Sequence, residues 1–184
     1  GRSKKRRIHN PKKPMRKVQK RIIEIIDKHW FDFYPWGDVP SSPYENAVKH
    51  VHNQFFYQTD LHNAFGSVPL EGLARVIAEG CKSWQFEEIR DTLERYCFEK
   101  NGQGLIVGAN ASPHLFSIYA HVVLDTPLRK FWPYFIGSGK LVRKQYTRYG
   151  DDLTFSSPRP ISDYVRQLIR KVIEAAGFEI NHRK

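Results

Sequence analysis

Asp60, Asp151 and Asp152 are the residues of this 184-residue chain whose type and setting point to chemistry. Asp151 and Asp152 follow Tyr149-Gly150 and lie between two strand-like runs, Lys144 to Tyr149 and Leu153 to Ser157. Those runs read as strands joined by a tight Gly150-Asp151-Asp152 turn. Two adjacent carboxylates at a hairpin tip repel one another unless a cation shares them. The plain alternative is a surface turn that uses Gly and Asp for local reasons. Asp60 closes the strand-like run Phe55 to Thr59, where it could equally cap a following turn. If the two strands are neighbours in one sheet, Asp60 and Asp151 converge at the same edge. Mg²⁺ takes oxygen ligands and keeps waters and substrate phosphates in its shell. Two such ions can activate an attacking hydroxyl and stabilise a leaving pyrophosphate in an in-line displacement.

The elements that must hold these acids are legible in the apolar spacing. Met15, Val18, Ile22, Ile25 and Ile26 predict a helix beyond Pro14, and Trp30 to Pro43 reads as an ordered loop rich in Pro, Gly and aromatics. A shorter helix is expected around Glu45 to Asn53, then a strand from Phe55 to Leu61. Leu70, Leu73, Val76 and Ile77 form one helical stripe that Gly80 can close. Phe86, Ile89, Leu93, Tyr96 and Cys97 form a second, ended by Asn101-Gly102. Ser112-Pro113 reads as a capping hydroxyl followed by a first-turn proline, opening a helix that weakens before Pro127. A last helix spans Ser162 to Ala176, with Gly177 to end it and a return strand at Phe178 to Asn181. Interleaved strands and helices with short connections make the fold class α+β.

Charge points to a polyanionic partner. The net charge is +11 and the pI about 9.7, and a basic domain gains affinity for phosphate by releasing condensed counterions. From Gly1 to Ile23 the chain is basic and carries no acid, with Lys12, Lys13, Arg16 and Lys17 the candidate nucleic-acid contacts. A solvated tail is the plain alternative for Gly1 to Lys5. No apolar run suits a signal peptide or a membrane span. Cys81 and Cys97 show neither metal spacing nor a disulfide framework, so they are expected as packed thiols in a reducing, cytoplasmic setting.

Against that background the chain resembles reverse transcriptases. Asp60-Leu61-His62-Asn63-Ala64-Phe65-Gly66-Ser67-Val68, then Gly104 to Pro113, then Arg148 to Ser156, look like polymerase motifs A, B and C in order. Gly177-Phe178-Glu179-Ile180-Asn181 with Lys184 is similar to motif D. Arg6 to Pro11 with Val18-Gln19 looks like the preceding fingers motif, and Asn46-Ala47 with His50 like the segment before motif A in bacterial enzymes. Tyr149 to Ser156 is nearest the retron-like and group II intron-like branches.

The resemblance implies a right-hand polymerase whose palm is an antiparallel sheet backed by helices. Fingers would comprise residues 1–50 and 70–104, and palm residues 51–69 and 105–184. It assigns Asp60, Asp151, Asp152 and the Leu61 carbonyl to two Mg²⁺ ions, for which Mn²⁺ can substitute. Phe65 falls on the steric gate against a ribose 2′-hydroxyl, and Arg6, Val107, Gly108 and Lys184 on positions that meet the incoming nucleotide. The implied partners are deoxynucleotides, an RNA template and a DNA or RNA primer. The likeness stops at motif D, which implies that the primer grip and thumb are absent from this chain and come from a fused or separate domain.

Three departures stand out. Val107 occupies the place of a common glutamine, Gly66 that of a second aromatic, and Gly150 that of an alanine. Two other functions fit parts of the pattern. Gly-Asp-Asp is also typical of RNA-dependent RNA polymerases, but their motif A has an acid five residues after the first, where this chain has Phe65. A non-catalytic nucleic-acid-binding module could keep the fold without turnover, although retention of all three aspartates argues against it.

Overall fold

The computed structural model describes residues 8–30, 42–100, 103–132 and 144–181. Arg6, Lys184, the Asn101-Gly102 helix stop and most of the Trp30 to Pro43 loop lie outside them. The α+β expectation is met, with the chain dividing into two compact units. One is formed by Gly1–Tyr34 and Phe65–Tyr119, the other by Pro35–Ala64 and Ala120–Lys184.

The first unit is helical. Helix α1 spans Lys13–Trp30, α3 Leu70–Gly80, α4 Phe86–Tyr96 and α5 Ser112–Ala120; the second unit's first helix, α2, is Pro43–His50. Helices α1, α3 and α4 pack on one another. The buried line of α1 is Gln19, Ile22 and Ile26, while Val18 is exposed. Gln19 sits in an apolar face with its Nε2 donating to the Tyr96 carbonyl at 2.8 Å, so the buried amide nitrogen is satisfied by a helix end. Cys81 and Cys97 are fully buried thiols, and burial pushes their pKa values up to about 11 and about 12.

The candidate motif segments of this unit meet backbone to backbone. Leu105 N–H donates to the Phe65 carbonyl at 2.9 Å, and His9 N–H to the Val107 carbonyl at 2.8 Å. Gly104 has φ +76°, and a Cβ there would lie 2.4 Å from the Gly66 Cα. Gly150, at φ +62°, has open space around the same position. Gly104→Ala is therefore expected to destabilise by more than Gly150→Ala. The second change bears only the left-handed penalty of about 1–2 kcal/mol; the first must also displace main chain. Urea unfolding of the two variants checks the order, and equal losses would refute the clash.

The start of α5 differs from expectation. Ser112 is the first helical residue, and its hydroxyl donates back to the Ile106 carbonyl at 2.6 Å. It thus closes the preceding loop instead of capping the helix.

The second unit holds a four-stranded antiparallel sheet of order β2-β3-β1-β4. Strand β1 is Phe55–His62, β2 Gln145–Tyr149, β3 Asp152–Ser157 and β4 Glu179–Ile180. Helices α2, α6 (Thr126–Phe131) and α7 (Asp163–Ala175) back it, with α2 on β2 and α7 on β4. Its core contains Leu61, Trp132, Tyr146, Leu153, Phe155, Ile169 and Ile173. Phe155 stacks on Tyr146 at 4.8 Å and takes the edge of Trp132 at 5.2 Å.

Both ends of α7 follow the residue chemistry. Ser162 Oγ accepts from Val165 N–H, and Gly177 leaves the helix at φ +84°. Pro127 does not end the preceding helix. A single π turn, His121–Asp125, precedes α6, and both the Thr126 N–H and its hydroxyl bond the His121 carbonyl. The wider turn lets the chain pass a proline that cannot donate to the residue four places back.

Candidate active site

The β1–β3 register settles where the acids sit. Asp60 is the cross-strand partner of Asp152, and Tyr149 pairs with Asp152 on the other side of the same strand. The connection from β2 to β3 is Gly150-Asp151, with Gly150 at positive φ and Asp151 not. That sign pattern is the one for a two-residue hairpin with glycine first. Leu61 N–H donates to the Asp151 carbonyl at 2.9 Å, whereas the Asp60 carbonyl faces away and accepts from Asn181 N–H at 2.9 Å. Asp60 and Asp152 are thus a pair of the kind that shares no backbone bond, in which side chains approach most closely. In the same ladder Leu61 turns its carbonyl to the Asp151 side.

The three carboxylates differ in exposure. Asp60 is 6 % exposed, Asp151 half-buried and Asp152 exposed. Asn181 Nδ2 donates to Asp60 Oδ2 at 3.0 Å, fixing the buried carboxylate. A cleft of about 630 Å³ opens over this end of the sheet, lined by Asp60, Asp152, Tyr149 and Asn181 and continuing past Gln58, Thr154 and Asn46. Among the described residues no three His, Cys, Asp or Glu side chains group closely enough to enclose an ion alone. The donors offered are oxygens, which suits Mg²⁺, an ion held by one or two carboxylates and otherwise by water and substrate phosphate.

The segment before β1 braces the sheet through polar contacts. Asn53 Nδ2 donates to Ser156 Oγ at 2.7 Å, and His50 bonds Ser156 Oγ at 2.6 Å and Thr147 Oγ1 at 2.7 Å. The Thr147 hydroxyl donates to Asn46 Oδ1. One direction is consistent with all four bonds: Ser156 donates to His50 Nδ1, and His50 donates through Nε2–H to Thr147. This assigns the neutral Nε2–H tautomer. Sequence reading singled out Asn46 and His50 without a role; their role is to tie α2 to β2 and β3.

Burial, and then the Lys49 charge, lower the His50 pKa from its ordinary 6.5. The unfolded chain then binds this proton more readily than the folded one. Its contribution to stability is complete above 6.5 and declines as pH falls through the window beneath that value. His50→Gln is expected to flatten the acid side of the melting-temperature profile relative to the parent. Parallel profiles would exclude the linkage.

The other candidate residues stand as follows. Lys12, Lys13, Arg16 and Lys17 are exposed at the start of α1, with the Arg16 guanidinium bonded to the Pro11 carbonyl and to Asn10. Phe65 is half-buried with its ring 5.3 Å from Phe116, Val107 is half-buried, and Gly108 is exposed at φ +93°. Two further residues emerge from the structure. Asn181 was legible only as part of a motif, and Asp125 gave no local signal inside His-Val-Val-Leu-Asp. Asp125 is fully buried and ion-paired with Arg148.

The family model for reverse transcriptase (RNA-dependent DNA polymerase) matches residues 1–184. The chain is 29% identical over 165 residues to Retron Ec83 reverse transcriptase of Escherichia coli, covering 82% of this chain and 48% of that one. It is 27% identical over 195 residues to Retron Mx65 reverse transcriptase of Myxococcus xanthus, covering 97% and 44%. It therefore spans about half the length of the curated relatives it matches. Among the described residues no helix is long and apolar enough to cross a membrane. With a family match over the whole chain, the chain belongs to the reverse transcriptase (RNA-dependent DNA polymerase) family.

Proposed function

We propose that this chain is the fingers-and-palm core of an RNA-directed DNA polymerase that adds deoxynucleotides to a primer 3′-hydroxyl on an RNA or DNA template. The observation that carries the reading is the pairing of Asp60 with Asp152 beside the Asp151 turn, at the mouth of the cleft. Asp60, Asp151, Asp152 and the Leu61 carbonyl would hold two Mg²⁺ ions, with Mn²⁺ a substitute. Bound there, such ions lower the pKa of an attacking hydroxyl and neutralise charge on the departing pyrophosphate. The protein's own part is positional. Asn181 orients Asp60, the Leu61–Asp151 backbone bond fixes the turn, and Tyr149 lines the cleft beside Asp152.

Phe65, five residues after Asp60, is proposed as the gate that excludes a ribose 2′-hydroxyl. Arg6, Val107, Gly108 and Lys184 are proposed to meet the incoming nucleotide. Lys12, Lys13, Arg16 and Lys17 would follow phosphates by charge alone, which favours no sequence. In chain order the proposed division runs fingers, palm, fingers, palm, as the two compact units also alternate. A thumb, fused or separate, would complete the polymerase, and a cytoplasmic setting would keep Cys81 and Cys97 reduced.

Primer extension on an RNA template, comparing deoxynucleotides with ribonucleotides, tests the proposal. Deoxynucleotides should be preferred, and Phe65→Val should admit ribonucleotides. A parent enzyme that prefers ribonucleotides would instead be an RNA polymerase. Binding of template without extension would make the chain a nucleic-acid-binding module. An active Phe65→Val enzyme that still rejects ribonucleotides would remove the gate.

A further inference from the structure

The buried pair behind the Gly150-Asp151 turn has a geometry that stability alone does not require. Arg148 lies on β2 and is 2 % exposed; Asp125 is fully buried in the π turn. Arg148 Nε donates to Asp125 Oδ1 at 2.9 Å and to Oδ2 at 3.1 Å, and Nη2 donates to Oδ2 at 2.9 Å. The Tyr146 hydroxyl donates to Asp125 Oδ1 at 2.7 Å. One guanidinium nitrogen is left over from that fork. Nη1 donates to the carbonyl of Gly150 at 3.1 Å.

That last contact falls on the peptide unit joining Gly150 to Asp151. A peptide is planar, so fixing its carbonyl oxygen also fixes the Asp151 N–H and the direction in which Asp151 leaves the turn. The turn needs such a hold. Gly150 has positive φ, and nothing lies within 4 Å of where a side chain would begin. No packing therefore restrains it from that side. A planar, multi-donor cation is the side chain that can grip a carboxylate with one edge and a carbonyl with another; an ammonium cannot do both from a fixed position. A pair of well-packed apolar residues would support the fold as well as a buried ion pair does.

We propose that Asp125 and Arg148 are positioning residues that hold the Gly150–Asp151 peptide so that the Asp151 carboxylate faces Asp60. The inference rests on the polymerase reading of that site. It extends the machinery from the three acids to a buried strut reaching back to the π turn, whose register sets where Asp125 points.

The test compares the parent with Asp125→Leu/Arg148→Met and with Arg148→Lys. Mn²⁺ binding is followed by electron paramagnetic resonance, and primer extension by titration with Mg²⁺. The double variant should melt close to the parent, yet bind Mn²⁺ about 10- to 100-fold more weakly, the usual effect of losing an outer-sphere support. Its Mg²⁺ demand should rise in step, with the Michaelis constant for deoxynucleotide little changed. Arg148→Lys keeps a charge against Asp125 but gives up the Gly150 contact, and should show the same weakening. A folded variant with parental Mn²⁺ affinity and Mg²⁺ demand would overturn the strut and leave the polymerase reading standing. A parent that neither binds Mn²⁺ nor extends a primer would overturn both. If the double variant fails to fold, Arg148→Lys decides by the same two measurements.

Discussion

Asp151→Asn should lower deoxynucleotide incorporation on the order of 100- to 1000-fold, the range that removal of one preorganised charge-stabilising group costs, while thermal unfolding stays where it is. The separation of the two effects follows from how Asp151 is built into the sheet. Its backbone carbonyl, not its side chain, takes the Leu61 N–H. Asparagine matches aspartate in shape and keeps that bond, the hairpin and the half-buried setting. Only the charge is lost, and charge is what a divalent ion would need from this position. Asp60→Asn should behave alike, because an amide oxygen can still accept from Asn181 Nδ2. The double variant should be little worse than either single one, since residues that act as a unit do not add. Single-turnover extension alongside circular dichroism melting checks all three. An Asp151→Asn enzyme within a few-fold of parent would remove this residue from the chemistry.

Asp125→Ala should be the most damaging single change to the sheet-bearing unit, at about 3–5 kcal/mol, because it strands a buried guanidinium without its counter-charge. Asp125 and Arg148 side chains are each 1% exposed, so no water is at hand to replace the lost partner. Tyr146 would lose its acceptor as well. That loss is a large fraction of a total stability of about 5–15 kcal/mol. Adding Arg148→Met to the alanine variant should recover much of it, since the penalty lies in the unpaired charge more than in the missing contact. A denaturant-based double-mutant cycle measures the coupling. A loss below about 1 kcal/mol, of the size seen for exposed pairs, would mean that Arg148 finds another partner.

The helices and strands could be read from the chain wherever one physical rule acted alone. The α3 stripe of Leu70, Leu73, Val76 and Ile77 is buried as spaced, as are Ile89, Leu93 and Cys97 of the α4 stripe; Ser162 caps α7, and Gly177 ends it. Expectation failed where a second rule intervened. Val18 sits at helical spacing yet faces out, because the hydrogen bond of Gln19 to Tyr96 sets the rotation of α1. Ser112-Pro113 has the composition of a cap, but its hydroxyl is drawn to Ile106. Pro127 looks like a stop, and a π turn carries the helix through it. At the candidate site, the Asp151-Asp152 pair announced itself as adjacent charges at the turn of a hairpin. The Asn181 contact with Asp60 and the Asp125 contact with Arg148 are long-range pairings, and no local pattern encodes those. The register that sets Asp60 opposite Asp152 has the same origin.

The interleaving of the two units bears on how the protein is made. Strand β1 leaves the ribosome well before β3, its partner, and β4 comes later still. Until then β1 presents two bare edges, with Phe55 and Phe56 at one end. Nascent chains with such edges invite pairing with other chains. The helical unit closes earlier in synthesis, because its last segment ends at Tyr119. Slowing translation after Tyr119 should therefore lengthen the interval in which the emerging chain needs a chaperone.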